Sequence, residues 1–238
     1  MYSKVVLSAL ALAIHGASAQ YDDWSFGNMF TVGPVSGNSN WIKKATWSLT
    51  PPPPPTSSTA PNGDDMFASI WIGISPTVSS GTLVQPLLNW SVNQKSQGCD
   101  AADDEWCVNA STFTGEEQVA QPYVPVPKAS SLSFEIDTTE DKKASQKVWI
   151  DGKLVSSQTD TMDGYPAYLY SSNECYKNQC GSINGYPWDN VTITLNEADE
   201  SFGKAVQLTG ASGSFSTSDN GKTWTGTVKI DADHFPAN

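Results

Sequence analysis

The stretch Phe67-Ala68-Ser69-Ile70-Trp71-Ile72-Gly73-Ile74 decides the architecture of this chain. Its aliphatic residues recur at every second position, so Ala68, Ile70, Ile72 and Ile74 share one face and Phe67, Ser69, Trp71 and Gly73 the other. A helix cannot segregate that pattern; a strand with one buried face can. Outward from it, the same period returns. Leu132, Phe134 and Ile136 alternate with Ser133, Glu135 and Asp137, and Val148 and Ile150 with Lys147, Trp149 and Asp151. Val191, Ile193 and Leu195 alternate with Thr192 and Thr194, and Trp224, Gly226, Val228 and Ile230 with Thr223, Thr225, Thr227 and Lys229. Asp151-Gly152 and Asn220-Gly221 supply the positive-φ pairs of tight hairpins. One-sided strands joined by hairpins predict antiparallel sheets, each burying one face, stacked as an all-β jelly-roll sandwich of two antiparallel sheets.

The N-terminus reads as an export signal. Lys4 precedes the apolar run from Val5 to Ile14, and Ala17-Ser18-Ala19 has the small-x-small spacing of a cleavage site. Residues 1–19 are therefore expected to be a signal peptide. Residues 20–238 are expected to form a single β-sandwich domain with a Pro-rich connection at 51–61, and the protein to be secreted and extracellular. The connection reads as a stiff link between strands rather than as a polyproline ligand. All 13 basic residues of the 238 are lysine, against 25 acidic ones, for a net charge of −12. Nucleic acid and anionic membrane are excluded as partners by that balance, and a monomer is expected.

Four cysteines, Cys99, Cys107, Cys175 and Cys180, suit disulfides in a secreted chain. Three connectivities are open, and the local staples Cys99–Cys107 and Cys175–Cys180 are favoured. No metal site or cofactor is expected, because neither cysteine pair has zinc-ligand spacing and only His234 follows the leader. The sequons at Asn89, Asn109 and Asn190 are candidate glycosylation sites, provided each is exposed.

Histidine catalysis is unpromising, since His234 stands four residues from the end. Gln85, inside the aliphatic run Leu83 to Asn89, is unusual: a buried amide must find partners. It reads either as a group pointing into a groove or as an edge residue bonded to backbone. Trp71, Tyr168 and Tyr170 are candidate aromatic binding residues. Glu135 would need a facing carboxylate to make a glycosidase pair.

In order along the chain, Thr46-Trp47-Ser48-Leu49-Thr50-Pro51, Ala68 to Ile74 and Leu83-Val84-Gln85 resemble three strands of the eqolisins, the secreted fungal glutamic peptidases. Ser133 to Ile136 and Asn190 to Thr194 follow in register. The resemblance spans about Asn40 to Ile230. It implies a concanavalin A-like sandwich with a cleft on its concave face, and a Gln/Glu dyad in which Glu is general base and Gln stabilises the oxyanion. Gln85 matches the family glutamine. At the family's glutamate, Pro166-Ala167-Tyr168-Leu169-Tyr170 places Tyr168; a second register places Glu174 there. The family's tryptophan-rich substrate segment is reduced to Trp106. Tyrosine is no base in acid, its pKa lying near 10. The expectation is therefore a secreted protein that binds an extracellular polysaccharide or polypeptide in its cleft, with catalysis altered or lost. The alternatives are an acid glutamic peptidase using Gln85 and Glu174, and a glycan hydrolase or lyase.

Overall fold

The computed structural model describes residues 24–37, 39–55, 67–78, 81–177 and 180–235. The expected signal peptide and residues 56–61 of the Pro-rich connection lie outside the described residues. The first strands are β1 (Trp24–Val32), β2 (Ile42–Leu49), β3 (Phe67–Ser75), β4 (Leu83–Val84) and β5 (Leu87–Ser91). Four short strands follow, β6 (Trp106–Asn109), β7 (Ser111–Phe113), β8 (Gln118–Ala120) and β9 (Val124–Val126). The middle of the chain gives β10 (Leu132–Thr138), β11 (Lys143–Ile150), β12 (Lys153–Thr161), β13 (Tyr168–Tyr176) and β14 (Gly181–Ile183). The rest are β15 (Tyr186–Leu195), β16 (Val206–Thr209), β17 (Ala211–Ser216), β18 (Thr223–Ile230) and β19 (Asp233–Phe235). Among the described residues, helix is limited to two short 3-10 turns, Gln94–Gln97 and Phe202–Lys204.

Two antiparallel sheets stack. The front sheet runs β16-β1-β13-β3-β4-β7-β8, with β5, β6 and β9 continuing from β3. The back sheet runs β12-β11-β10-β2-β15-β18-β17. The small ladder β14-β19 stands apart. This is the jelly-roll sandwich that the alternating runs predict. The Asp151-Gly152 and Asn220-Gly221 turns hold their residues at φ of 49°, 78°, 58° and 87°, and they close β11–β12 and β17–β18 as expected.

Each sheet sends one face inward. Ile70, Ile72 and Ile74 of β3 are fully buried, opposite Trp47, Phe134 and Trp188 of the back sheet. Burying one such side chain contributes roughly 1.5–3 kcal/mol, so a one-residue slip of β3 that turned Ser69 and Gly73 inward would forfeit several.

Directed bonds join the layers as well. The Trp188 indole donates to Ser171 Oγ (3.1 Å) and Tyr186 Oη to Asn173 Oδ1 (2.7 Å), both on the inner face of β13. Gln146, 0% exposed, accepts from Ser111 N (3.0 Å) and donates to Ser111 O and Thr112 Oγ1 (2.9 Å each). The start of the Pro-rich connection is clamped to the body: Pro52 O accepts from the Trp106 indole at 2.7 Å, and Pro52 and Pro55 are buried.

Both local disulfides form, Cys99–Cys107 and Cys175–Cys180. Two closed bridges and no free thiol among the described residues suit an oxidising, extracellular compartment.

Candidate functional site: a trough on the front sheet

The face of the front sheet that points away from the core is also buried. Trp71 is 2% exposed, Ser172 3%, Gln85 5% and Asn109 1%. Side chains directed away from the partner sheet lose solvent only if the sheet curls around them, so this face is a trough.

Strand pairing lays out its floor in rows. One end is aromatic, Trp24, Tyr176 and Phe67 lying side by side. The next row is Phe26, Glu174, Ser69 and Asn89. Then come Met29, Ser172, Trp71, Leu87 and Asn109. The following row holds Thr31, Tyr170 and Gly73, with Gln85 beyond. A Cβ built on Gly73 would sit 2.9 Å from Gln85 Cβ, so the missing side chain lets the glutamine lie close over β3.

Tyr170 is the residue paired with Gly73, so a tyrosine faces Gln85 across the floor. Tyr168 follows one step along, paired with Ser75. Glu174 pairs with Ser69, four residues along β3 from Gly73, or about 13 Å at strand rise. The two candidate dyad members thus share the trough but not a hydrogen bond. Gln85 instead extends its Nε2 toward Gln118 Oε1 (3.5 Å), and Gln118 donates to Ser111 Oγ.

Glu174 nevertheless has an unusual environment. Glu174 is half-buried, and crowding by Phe26, Trp71 and Tyr176 pushes its carboxyl up to about 7. The Trp71 indole N–H pulls the value back, but it stands too far or too oblique to count as a formed bond. Beyond Ser69, the row continues as a hydrogen-bond chain: Ser69 Oγ donates to Asn89 Oδ1 (2.5 Å) and Asn89 Nδ2 to Tyr123 Oη. Burial raises the Tyr123 phenol, and the Asn89 bond works against it.

Three buried polar atoms of this face have no protein partner: Trp71 Nε1, Gln85 Oε1 and Asn109 Oδ1. A buried donor or acceptor left unmade costs about 1–3 kcal/mol. Three others, Trp41 Nε1, Trp47 Nε1 and Thr138 Oγ1, lie outside the front-sheet strands, so what marks the trough is that its three share one concave surface.

Several expected site residues lie elsewhere. Trp106 points into the core, because β6 turns Trp106 and Val108 inward and Cys107 and Asn109 outward. It is a packing residue bonded to Pro52, not part of the trough. Glu135 is on the outer face of the back sheet, paired with Lys44 Nζ (2.7 Å) and Lys147 Nζ (2.8 Å). Burial would raise its carboxyl, but Lys147 and Lys44 outweigh that and hold it at about 2. The nearby Asp137 is shifted up by burial and by Glu135 itself. A carboxylate spent on two lysines across the sandwich from the trough is no partner for Glu174.

His234 sits in β19, with Nδ1 3.0 Å from Ser182 Oγ on an exposed edge. The neighbouring Asp233 caps the His234 backbone N–H and binds Asn28 N and Asn173, not the imidazole. The geometry is that of a surface pair and not of a Ser-His-Asp relay.

Among the sequons, the exposure that a glycan requires is met by Asn190 alone. Asn89 and Asn109 face the trough with their Nδ2 atoms donating to Tyr123 Oη and to Gln121 O (2.8 Å). The alternation of β5 and β6 could have disclosed both as trough residues; the sequon pattern drew attention instead to their nitrogen chemistry.

No family model and no curated protein sequence matches this chain. Among solved structures, scytalido-glutamic peptidase with a transition state analogue inhibitor is 13% identical over 84% of this chain and 96% of its own, with a TM-score of 0.51. An eqolisin-family peptidase in complex with the tripeptide Ala-Ile-His is 13% identical over 86% and 96%, at 0.46. Bacillus licheniformis beta-glucanase is 10% identical over 83% and 67%, at 0.35. At these identities the likeness to the first establishes a shared sandwich fold and no chemistry: the chain is a concanavalin A-like, jelly-roll protein.

Proposed function

We propose that this is a secreted protein that binds an extended extracellular polymer in the trough of its front sheet, without a working Gln–carboxylate dyad. The observation that carries the reading is the pairing of Tyr170, not a carboxylate, with the Gly73 step that Gln85 overlies. A phenol cannot serve as general base in an acidic medium. The aromatic and amide floor remains, and it suits retention of a polymer better than its cleavage. Tyr170 packs edge-on against Trp71, ring centroids 5.4 Å apart at 76°, so Trp71 supports the floor while the half-buried Tyr168 and Tyr170 present the accessible rings.

The test is co-sedimentation with insoluble wall polysaccharides and with a denatured protein at pH 5, beside a proteolysis assay at pH 3–4. Retention on at least one polymer is expected, reduced about tenfold or more in Tyr170→Ala, with no cleavage. Cleavage abolished in both Gln85→Ala and Glu174→Gln would establish the peptidase instead. Failure to retain any polymer would overturn the binding reading.

A further inference from the structure

Asn109 has no assigned role beyond its sequon, yet its surroundings are those of a binding residue. Its Nδ2 is committed to Gln121 O, which fixes the amide so that Oδ1 is the atom left over. Gln85 is arranged alike, its Nε2 turned to Gln118 and its Oε1 left over. Trp71 offers the opposite polarity, an N–H that leans on the Glu174 carboxyl without completing a hydrogen bond to it. All three side chains are at most 5% exposed, on neighbouring strands of the same outward face. Trp71 and Asn109 flank Leu87 in one row, two strand spacings or about 10 Å apart. That span is the reach of a disaccharide rather than of one ring.

We infer that Asn109, Gln85 and Trp71 form a hydrogen-bonding subsite for two adjacent residues of a neutral glycan. The inference rests on the trough being a polymer site and adds its ligand class.

Two acceptors and one donor must be met by the same occupant. A hydroxyl both donates and accepts, so a polyol meets all three, whereas a carboxylated or phosphorylated polymer would find no cation on the Trp71 row or the rows beside it among the described residues; Lys177 stands over Tyr176 at the far, aromatic end. A polypeptide is the weaker fit. Strand-like peptides are held by main-chain bonds to a free sheet edge, and β3 and β13, which form the floor's centre, are paired on both sides. Tyr168 and Tyr170 flank the subsite with rings on which a pyranose face can lie.

The inference also requires that Asn109 carry no glycan, since a sugar on Nδ2 would break the Gln121 bond and fill the subsite. Two measurements test it on the full secreted chain. The first is peptide mass mapping of the sequons. Unmodified Asn109 is expected; an attached glycan there would overturn the inference and leave polymer binding by the trough untouched. The second is titration calorimetry with neutral gluco-, xylo- and manno-oligosaccharides and with an unstructured peptide. Asn109→Leu and Gln85→Leu are expected to weaken glycan affinity about tenfold each, and Trp71→Phe, which keeps a ring and loses the N–H, about fivefold. Asn190→Gln, on the far face, serves as the control at unchanged affinity. Thermal melts confirm that each variant folds; if Asn109→Leu does not, Asn109→Ser takes its place. Oligosaccharide binding indifferent to all three changes, or binding of the peptide alone, would overturn the inference while the trough stayed a polymer site.

Discussion

The sandwich has two outward faces, and they treat a glutamate in opposite ways. On the back sheet, Glu135 meets Lys44 and Lys147 and is held at about 2. On the front sheet, Glu174 lies among Phe26, Ser69 and Trp71 with no cation and is pushed up to about 7. Countercharge makes the difference, because both glutamates are partly buried and only Glu135 has lysines beside it. The back face is open to water, and its charges are paired and half-exposed. The front face closes over its side chains and strips water from a carboxyl that gains no countercharge. Polar groups on an open face are settled by water and neighbours; those in a trough have to find their partners within it.

Changing Glu174 is the sharpest way to break this contrast. Its ordinary pKa is 4.5 and its folded value about 7. Below about pH 4.5 it is neutral in both folded and unfolded chains, and its contribution is fully present. As pH rises through 7 the unfolded chain has already released the proton that the fold retains, so stability falls. Denaturant titrations should show Glu174→Gln more stable than the parent by about 3 kcal/mol at pH 8 and nearly equal at pH 4.5. A parallel loss of stability in both proteins between pH 5 and 8 would show that Glu174 is not the cause. Glu135 works the other way: its stabilisation is present above about pH 4.5 and lost as pH falls through 2. The parent should therefore be most stable near pH 4.5.

Gly73→Ala comes next in size. The new methyl would meet Leu83 Cδ1 at 2.6 Å, Val84 O at 2.8 Å and Gln85 Cβ at 2.9 Å. Because Val84 O belongs to the ladder, it cannot simply rotate away. A loss of about 2 kcal/mol is expected in the denaturant midpoint, together with weaker polymer retention as β4 is displaced. An unchanged midpoint would mean that Gln85 does not lie tightly over β3. The smallest effect belongs to the open face. Lys147→Met removes one of Glu135's two partners, and it should cost no more than about 1 kcal/mol at pH 7 and less in high salt. A loss several times larger would mean that the back face is as sheltered as the trough.

The sequence disclosed the fold where alternation is clean, as in β3, β10 and β18. It was silent at β13, and the reason is physical. The inner face of β13 carries Ser171 and Asn173, polar residues that exist there to receive Trp188 and Tyr186. Their polarity erases the period-2 signal and leaves two registers, Tyr168 as the better local match and Glu174 as the second. Pairing with β3 decides how the strand is placed, and pairing is a property of the sheet. The site was half legible for a related reason. Gln85 among aliphatics announced itself, while Asn89 and Asn109 looked like glycan acceptors until strand parity turned them into the trough. Trp106 and Glu135 misled because an aromatic or acidic residue looks alike on either face of a strand until the sheets are stacked.

Gln146 gives the trough a property that its own residues do not supply. Apolar contact between two sheets resists sliding through the interlock of side chains, and it leaves exact alignment to packing alone. Three bonds from this one buried amide to Ser111 and Thr112 have direction, and they grip the chain just after Asn109. Gln146 therefore acts as a keystone. It sits on the back sheet, away from the trough floor, and ties the strand that follows Asn109 to that sheet.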